Sequence, residues 1–292
     1  AHGRNVALGY KTLRLQDAGA EAYNVAVGYA AGSVISTGVN NTLIGGLAGD
    51  ALTTGTNNVA LGYGALGTED TGGQNVAIGV NALTTLNYAG NGLNTAVGYA
   101  AGALMTTGVE NTIIGGSAGD AITTGGYNTL MGVHAGGGLV EGTDNVAIGW
   151  SALKTENAHG GNVAIGKEAL KALDAGAEGY NVAVGLKAGL VMTTGVRNTL
   201  IGSGAGDALT TGSYNTALGY AALTTEDANG KNTAIGYNTL SALNAGVDAF
   251  NTVVGYKAGE AMTTGVQNTL VGGNAGDALT IGNYNVALGK DA

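Results

Sequence analysis

Polar and apolar positions follow a five-residue frame that returns seventeen times along the chain. The frame reads Asn, then Val or Thr, a small or aliphatic residue, an aliphatic one, and Gly. It opens as Asn5-Val6-Ala7-Leu8-Gly9 and closes as Asn285-Val286-Ala287-Leu288-Gly289. The anchors are Asn5, Asn24, Asn41, Asn58, Asn75, Asn94, Asn111, Asn128, Asn145, Asn162, Asn181, Asn198, Asn215, Asn232, Asn251, Asn268 and Asn285, and every interval is 17 or 19 residues. A fixed period near 20 residues marks a solenoid whose rungs stack on one another. The expected fold is all-β, a parallel β-roll or β-solenoid of about 17 rungs.

Val, Thr and Ile favour strands, and the frame is too short and too Gly-bounded for a helix. The second and fourth positions point to one face; the Asn, the third residue and the Gly point to the other. The recurring Gly implies a positive φ or a backbone approach too close for a Cβ. A second short segment follows, centred on Ala-Leu (Ala65-Leu66) or Ala-Gly (Ala31-Gly32), and then a turn such as Thr53-Thr54-Gly55. Each rung is therefore expected to hold two short strands and two turns. Stacking at about 4.8 Å makes sixteen steps a rod on the order of 75–80 Å long. It also aligns the Asn side chains, Asn5, Asn24, Asn41, Asn58, Asn75, Asn94, Asn111 and Asn128 onward, into a hydrogen-bonded ladder.

The 19-residue steps begin at Asn5, Asn75, Asn162 and Asn232, which defines larger units of 70, 87 and 70 residues. The single array over 1–292 thus divides into blocks 5–74, 75–161, 162–231 and 232–292, the second with one extra rung at Asn128 and the last incomplete. Because it starts and stops inside the pattern, the chain reads as a segment of something longer.

The third frame position is also apolar, including Leu43, Ile113, Leu200 and Leu270. Strands apolar on both faces are normally buried on both. A rung encloses one interior, so the other face calls for copies of the same chain in register. On this reading further copies of the chain bury the third-position residues, and Asp at Ile113 or Leu200 breaks assembly.

Composition narrows the classes. There are 56 Gly but no Pro and no Cys in 292 residues. Gly does not fall at every third position, so collagen is excluded; zero Cys excludes disulfides and thiolate metal sites. A net charge of −9 with few, scattered Lys and Arg argues against nucleic acid. No apolar run approaches the ~20 residues of a membrane span.

Repeats such as Asn215-Thr216-Ala217-Leu218-Gly219-Tyr220 and Asn232-Thr233-Ala234-Ile235-Gly236-Tyr237, closed by Thr-Thr-Gly turns, resemble the head repeats of trimeric autotransporter adhesins. They are more similar still to repeats of phage tail-fibre proteins of the type that ends in an endosialidase-like chaperone domain. The resemblance implies a left-handed, homotrimeric β-roll in an extracellular fibre on a virion tail or cell surface. It implies a structural, non-enzymatic segment supporting host attachment, with a bacterial adhesin head that binds the host surface directly as the alternative. Partners are then other copies of the chain and a host glycan or protein.

Little chemistry stands out. His2, His134 and His159 have no catalytic partner at sequence spacing, and no enzyme or cofactor is expected. Gly136-Gly137-Gly138 lacks the Lys-Ser/Thr of a phosphate loop. Asp50, Glu69 and Asp70, repeated as Asp207, Glu226 and Asp227, form an acidic edge, read as solvating with a hard-cation site as the alternative. Recurrent Tyr residues pack on neighbouring rungs or offer a contact surface; Tyr23, Tyr180 and Trp150 are the surface candidates, along with the longer loops Gly19 to Tyr23 and Gly176 to Tyr180. Repeated Thr-Thr pairs raise ice binding, but Glu69-Asp70 and Glu156-Asn157 interrupt the array.

Overall fold

The computed structural model describes residues 3–18 and 21–292. It is an all-β parallel solenoid of seventeen turns, one three-residue strand per turn, with no helix among the described residues. The chain forms two compact units, 1–145 and 146–292. The first carries β1 (Val6–Leu8) to β8 (Thr129–Met131), the second β9 (Val146–Ile148) to β17 (Val286–Leu288). Equal frame positions stack in register, Val6 on Val25 and Ala96 on Ile113. Counting each anchor Asn as position 1 makes the rungs directly comparable.

The expected second strand is absent. Positions 7 and 9 both adopt left-handed backbone, as at Asn81 (φ 56°) and Leu83 (φ 48°), so the chain bends too sharply there to be a strand. Its amides still bond between rungs, for example Leu83 N–H to Ala101 O at 3.0 Å. At position 5 the two explanations offered for Gly hold together. Gly115 has φ 137°, and a Cβ there would lie 2.6 Å from Gly132 O of the next rung.

The third-position residues are core, which corrects the assembly argument. Leu43, Ile113, Leu200 and Leu270 are wholly buried within the single chain, and Asp at Ile113 or Leu200 would strike folding before assembly. They are accommodated by a volume exchange with position 9. Where position 9 is Leu, as in Leu66, Leu153 and Leu223, position 3 is Ala: Ala60, Ala147, Ala217. Where position 3 is Leu, position 9 is Gly; a Cβ on Gly49 would lie 2.8 Å from both Leu43 and Leu52 side chains. Positions 3 and 9 thus never both carry a large side chain, which keeps the interior close-packed.

The residues left outside are positions 2 and 4, strand after strand. Their half-exposed stripe of Val, Thr, Ile, Leu and one Met includes Leu61 and Met131 in the first unit and Leu218 and Val271 in the second.

Candidate functional site

The Asn column is a ladder of buried amides. Each Oδ1 accepts the backbone N–H of the next Asn, as from Asn41 to Asn24 (2.8 Å) and from Asn128 to Asn111 (3.0 Å). In the 17-residue rungs Nδ2 typically donates to the carbonyl that closes its own rung at position 15, Asn111 to Gly125 O at 2.9 Å and Asn128 to Gly142 O at 2.8 Å. An Asp lacks the donor and a Leu lacks both functions, so Asn alone closes the turn and links the rungs. Where a 19-residue rung begins, the closing carbonyl has moved, and Asn75 and Asn162 donate instead to Gly73 O and Gly160 O, both at 3.2 Å.

Position 12 normally continues the core as Ile, Leu or Met. In three rungs it is Glu69, Glu156 or Glu226, each wholly buried. All three precede a 19-residue rung, and the Glu receives the displaced loop. Glu69 Oε2 accepts the Tyr88 amide at 3.4 Å, Glu156 that of Ala175 at 3.3 Å, and Glu226 that of Ala245 at 3.4 Å. The other oxygen is held within its own turn, by Gly72 N–H (2.8 Å), His159 N–H (3.3 Å) and Asn229 Nδ2 (3.1 Å) respectively. Burial pushes all three carboxyls above the ordinary glutamate range, and these amides oppose the shift.

The acidic candidates therefore separate. Glu69 and Glu226 lie in the interior rather than on an edge. Asp70 and Asp227 accept the Thr53 and Thr210 hydroxyls of the preceding rung. Asp50 and Asp207 are half-buried at position 10, with carboxyls raised by desolvation. Among the described residues one group of three His, Asp or Glu side chains has ligand atoms within 4.8 Å of one another, and it is Glu156, His159 and Asp174. Sequence spacing missed it because Asp174 arrives from the next rung. His2, Gly19 and Ala20 lie outside the described residues.

The aromatic candidates are exposed and lie against cations. Arg197 lies 5.9 Å from the Tyr180 ring and 5.6 Å from that of Tyr214, whose hydroxyl it also bonds. Arg4 lies over Tyr23, and Lys167 and Lys171 stand 5.2 and 5.7 Å from Trp150. Tyr220, Tyr237 and Tyr256 stack at 5.4 and 5.3 Å while remaining half-exposed. At position 13, Thr hydroxyls such as Thr106 and Thr193 bond the next rung's carbonyl, which withdraws them from any regular Thr surface. No helix among the described residues is long and apolar enough to cross a membrane.

Comparison with family models, curated proteins and solved structures yields no match for this chain.

Proposed function

We propose that this chain is a structural, non-enzymatic segment of a homotrimeric extracellular fibre, a shaft or head of the phage tail-fibre kind, supporting host attachment. The observation that carries the reading is the half-exposed stripe of positions 2 and 4. It is one strand wide, repeats at every rung, and displays the β-branched residues that other parallel sheets bury on both faces. A left-handed roll with three such stripes facing a common axis would cover it, and the axial symmetry would keep equal rungs level. The duplicated blocks support a spacer role, since length could change by whole rungs without disturbing the Asn ladder.

Sedimentation of the chain tests the assembly. The expected species is a trimer; a stable, well-folded monomer at micromolar concentration overturns it. Deleting 162–231 from the parent protein tests the role, with a shorter fibre that still binds its target expected.

A second reading, a bacterial adhesin head that contacts the host directly, draws on the exposed aromatics of the second unit. Trp150 with Lys167 and Lys171, and the stacked Tyr220, Tyr237 and Tyr256, would suit a glycan or protein surface. Loss of binding by the assembled deletion variant would favour it.

A further inference from the structure

The three buried glutamates occupy equivalent corners, so their neighbours can be compared position by position. Three residues after the Glu stand Gly72, His159 and Asn229. Eighteen residues after it, in the long loop of the next rung, stand Asn87, Asp174 and Asn244. At these two places the first and third corners carry only neutral residues, although Asp70 and Asp227 directly follow their Glu. The middle corner alone combines an imidazole and a second carboxylate.

The geometry matches that chemistry. Glu156 Oε1 lies 3.6 Å from His159 Nδ1, and one ligand atom from each of Glu156, His159 and Asp174 lies within 4.8 Å of the other two. Glu156 is wholly buried and fixed by two backbone amides, from His159 at 3.3 Å and Ala175 at 3.3 Å. Such amide bonds orient a ligating carboxylate without consuming its remaining lone pairs. Asp174 is placed by its own amide, which donates to Thr193 O at 2.8 Å. His159 is partly exposed and Asp174 exposed, so an ion has a path from solvent to the buried oxygen.

We propose that Glu156, His159 and Asp174 form a binding site for a zinc-class divalent cation. One imidazole nitrogen and two carboxylate oxygens are the ligand set of a borderline cation rather than of calcium, which takes six to eight oxygens. Ligand atoms around tetrahedral zinc are about 3.3 Å apart, given metal–ligand distances near 2.0–2.1 Å, so a modest closure of the two exposed side chains completes three bonds and leaves the fourth position to water. The ion would pin the 19-residue loop of the β10 rung (β10, Val163–Ile165) to the corner of the β9 rung. It would also neutralise the charge of a wholly buried carboxylate. The site lies wholly within the second unit and does not depend on the fibre reading.

The test is titration of chelator-treated chain with zinc chloride, followed by calorimetry and by the thermal unfolding midpoint. The expected result is one saturable ion per chain and a midpoint that rises with zinc. His159→Asn and Asp174→Asn install the residues that the third corner already uses at Asn229 and Asn244, so both variants should fold; each should lose the saturable step. His134→Asn should keep it. Absence of saturable uptake by the unmodified chain overturns the proposal, as does uptake that survives both corner substitutions. If a substituted chain fails to fold, cobalt(II) bound to the unmodified chain decides the matter: a tetrahedral-type visible spectrum supports the site, and a purely octahedral one overturns it.

Discussion

Ile113 and Ile114 are chemically identical neighbours in β7 (Thr112–Ile114), yet one is wholly buried and the other half-exposed. Ile113 stands in the column that fills the solenoid, between levels where position 3 is Ala96 and Leu130. Ile114 stands in the outer stripe. The difference teaches that this chain carries two apolar systems with separate duties. The inner column, with the Asn ladder beside it, makes each rung fold on its neighbour. The outer stripe stays half-exposed in one chain, and the proposed assembly would cover it.

The sharpest way to break the comparison is to place the same charge on each neighbour. Ile113→Asp buries an unpaired carboxylate and should destabilise the chain by about 4–5 kcal/mol or more. Ile114→Asp should change the single chain's stability by about 1 kcal/mol or less while abolishing the proposed assembly. Circular dichroism melts and sedimentation, run on both variants, read the two effects separately. Equal loss of folding by both would show that the stripe belongs to the core after all.

Next in size is the ladder. Asn111→Ala removes the acceptor for Asn128 N–H and the donors to Gly125 O and Val109 O. Val109 O keeps the Tyr127 amide, so two buried groups lose their partner at about 1–3 kcal/mol each, and a total loss of roughly 2–6 kcal/mol is expected in chemical denaturation, with the outer stripe untouched. A loss below about 0.5 kcal/mol would mean that water replaces the ladder bonds.

A smaller effect belongs to the three interior glutamates. Their carboxyls are raised by burial, so the folded chain binds protons more readily than the unfolded one. The penalty of keeping them ionised is present in full above their raised values and disappears as pH falls to the ordinary glutamate value near 4.3. Glu168, Asp248 and Asp291 are lowered, by Lys171, Lys231 and Asn274 respectively, and act in the opposite sense. The difference between the wild type and the triple variant Glu69→Gln, Glu156→Gln, Glu226→Gln isolates the interior term. Relative to that variant, the wild type should gain stability as pH falls from 7 toward 5, read as the difference in unfolding midpoint. A difference that stays flat would show that the amides around each carboxylate fully offset its burial.

Much of this was legible in the residues. The rung boundaries, the parallel register and the Asn ladder follow from one five-residue frame, and the Gly at position 5 could be assigned a backbone reason. The inside of the solenoid was not, because both faces of the strand are apolar and Ala, the usual third residue, suits a core or a surface. The deciding signal was nevertheless present in the pairing of Ala60 with Leu66 against Leu43 with Gly49. The left-handed Leu83 and Tyr180 (φ 48° at each) carry no such signal, since their side chains disfavour the conformation that the rung imposes on them. That is why the sequence predicts a second strand where a turn stands. The middle corner was hidden for a third reason: Glu156 replaces an apolar column residue and so could be noticed, but its meeting with Asp174, at position 13 of the next rung, depends on the stacking of rungs rather than on spacing within one.

The smallest expected effect is also the one that best sharpens the contrast between column and stripe. Thr112 occupies position 2, half-exposed, where Val59, Val76 and Val146 stand in other rungs. Thr and Val share a β-branched shape and a preference for strands, so Thr112→Val should alter the isolated chain by less than about 0.5 kcal/mol. The consequence for an assembly is different. A hydroxyl moved from water into an apolar interface carries a desolvation cost that a methyl group lacks. If copies of the chain cover the stripe, the variant should dissociate at lower concentration than the wild type while melting identically as a monomer. If the stripe faces solvent in the working protein, both measurements stay unchanged. The same substitution at Thr199, Thr216 and Thr233 together multiplies the effect across adjacent rungs, because the added methyl groups form one continuous column.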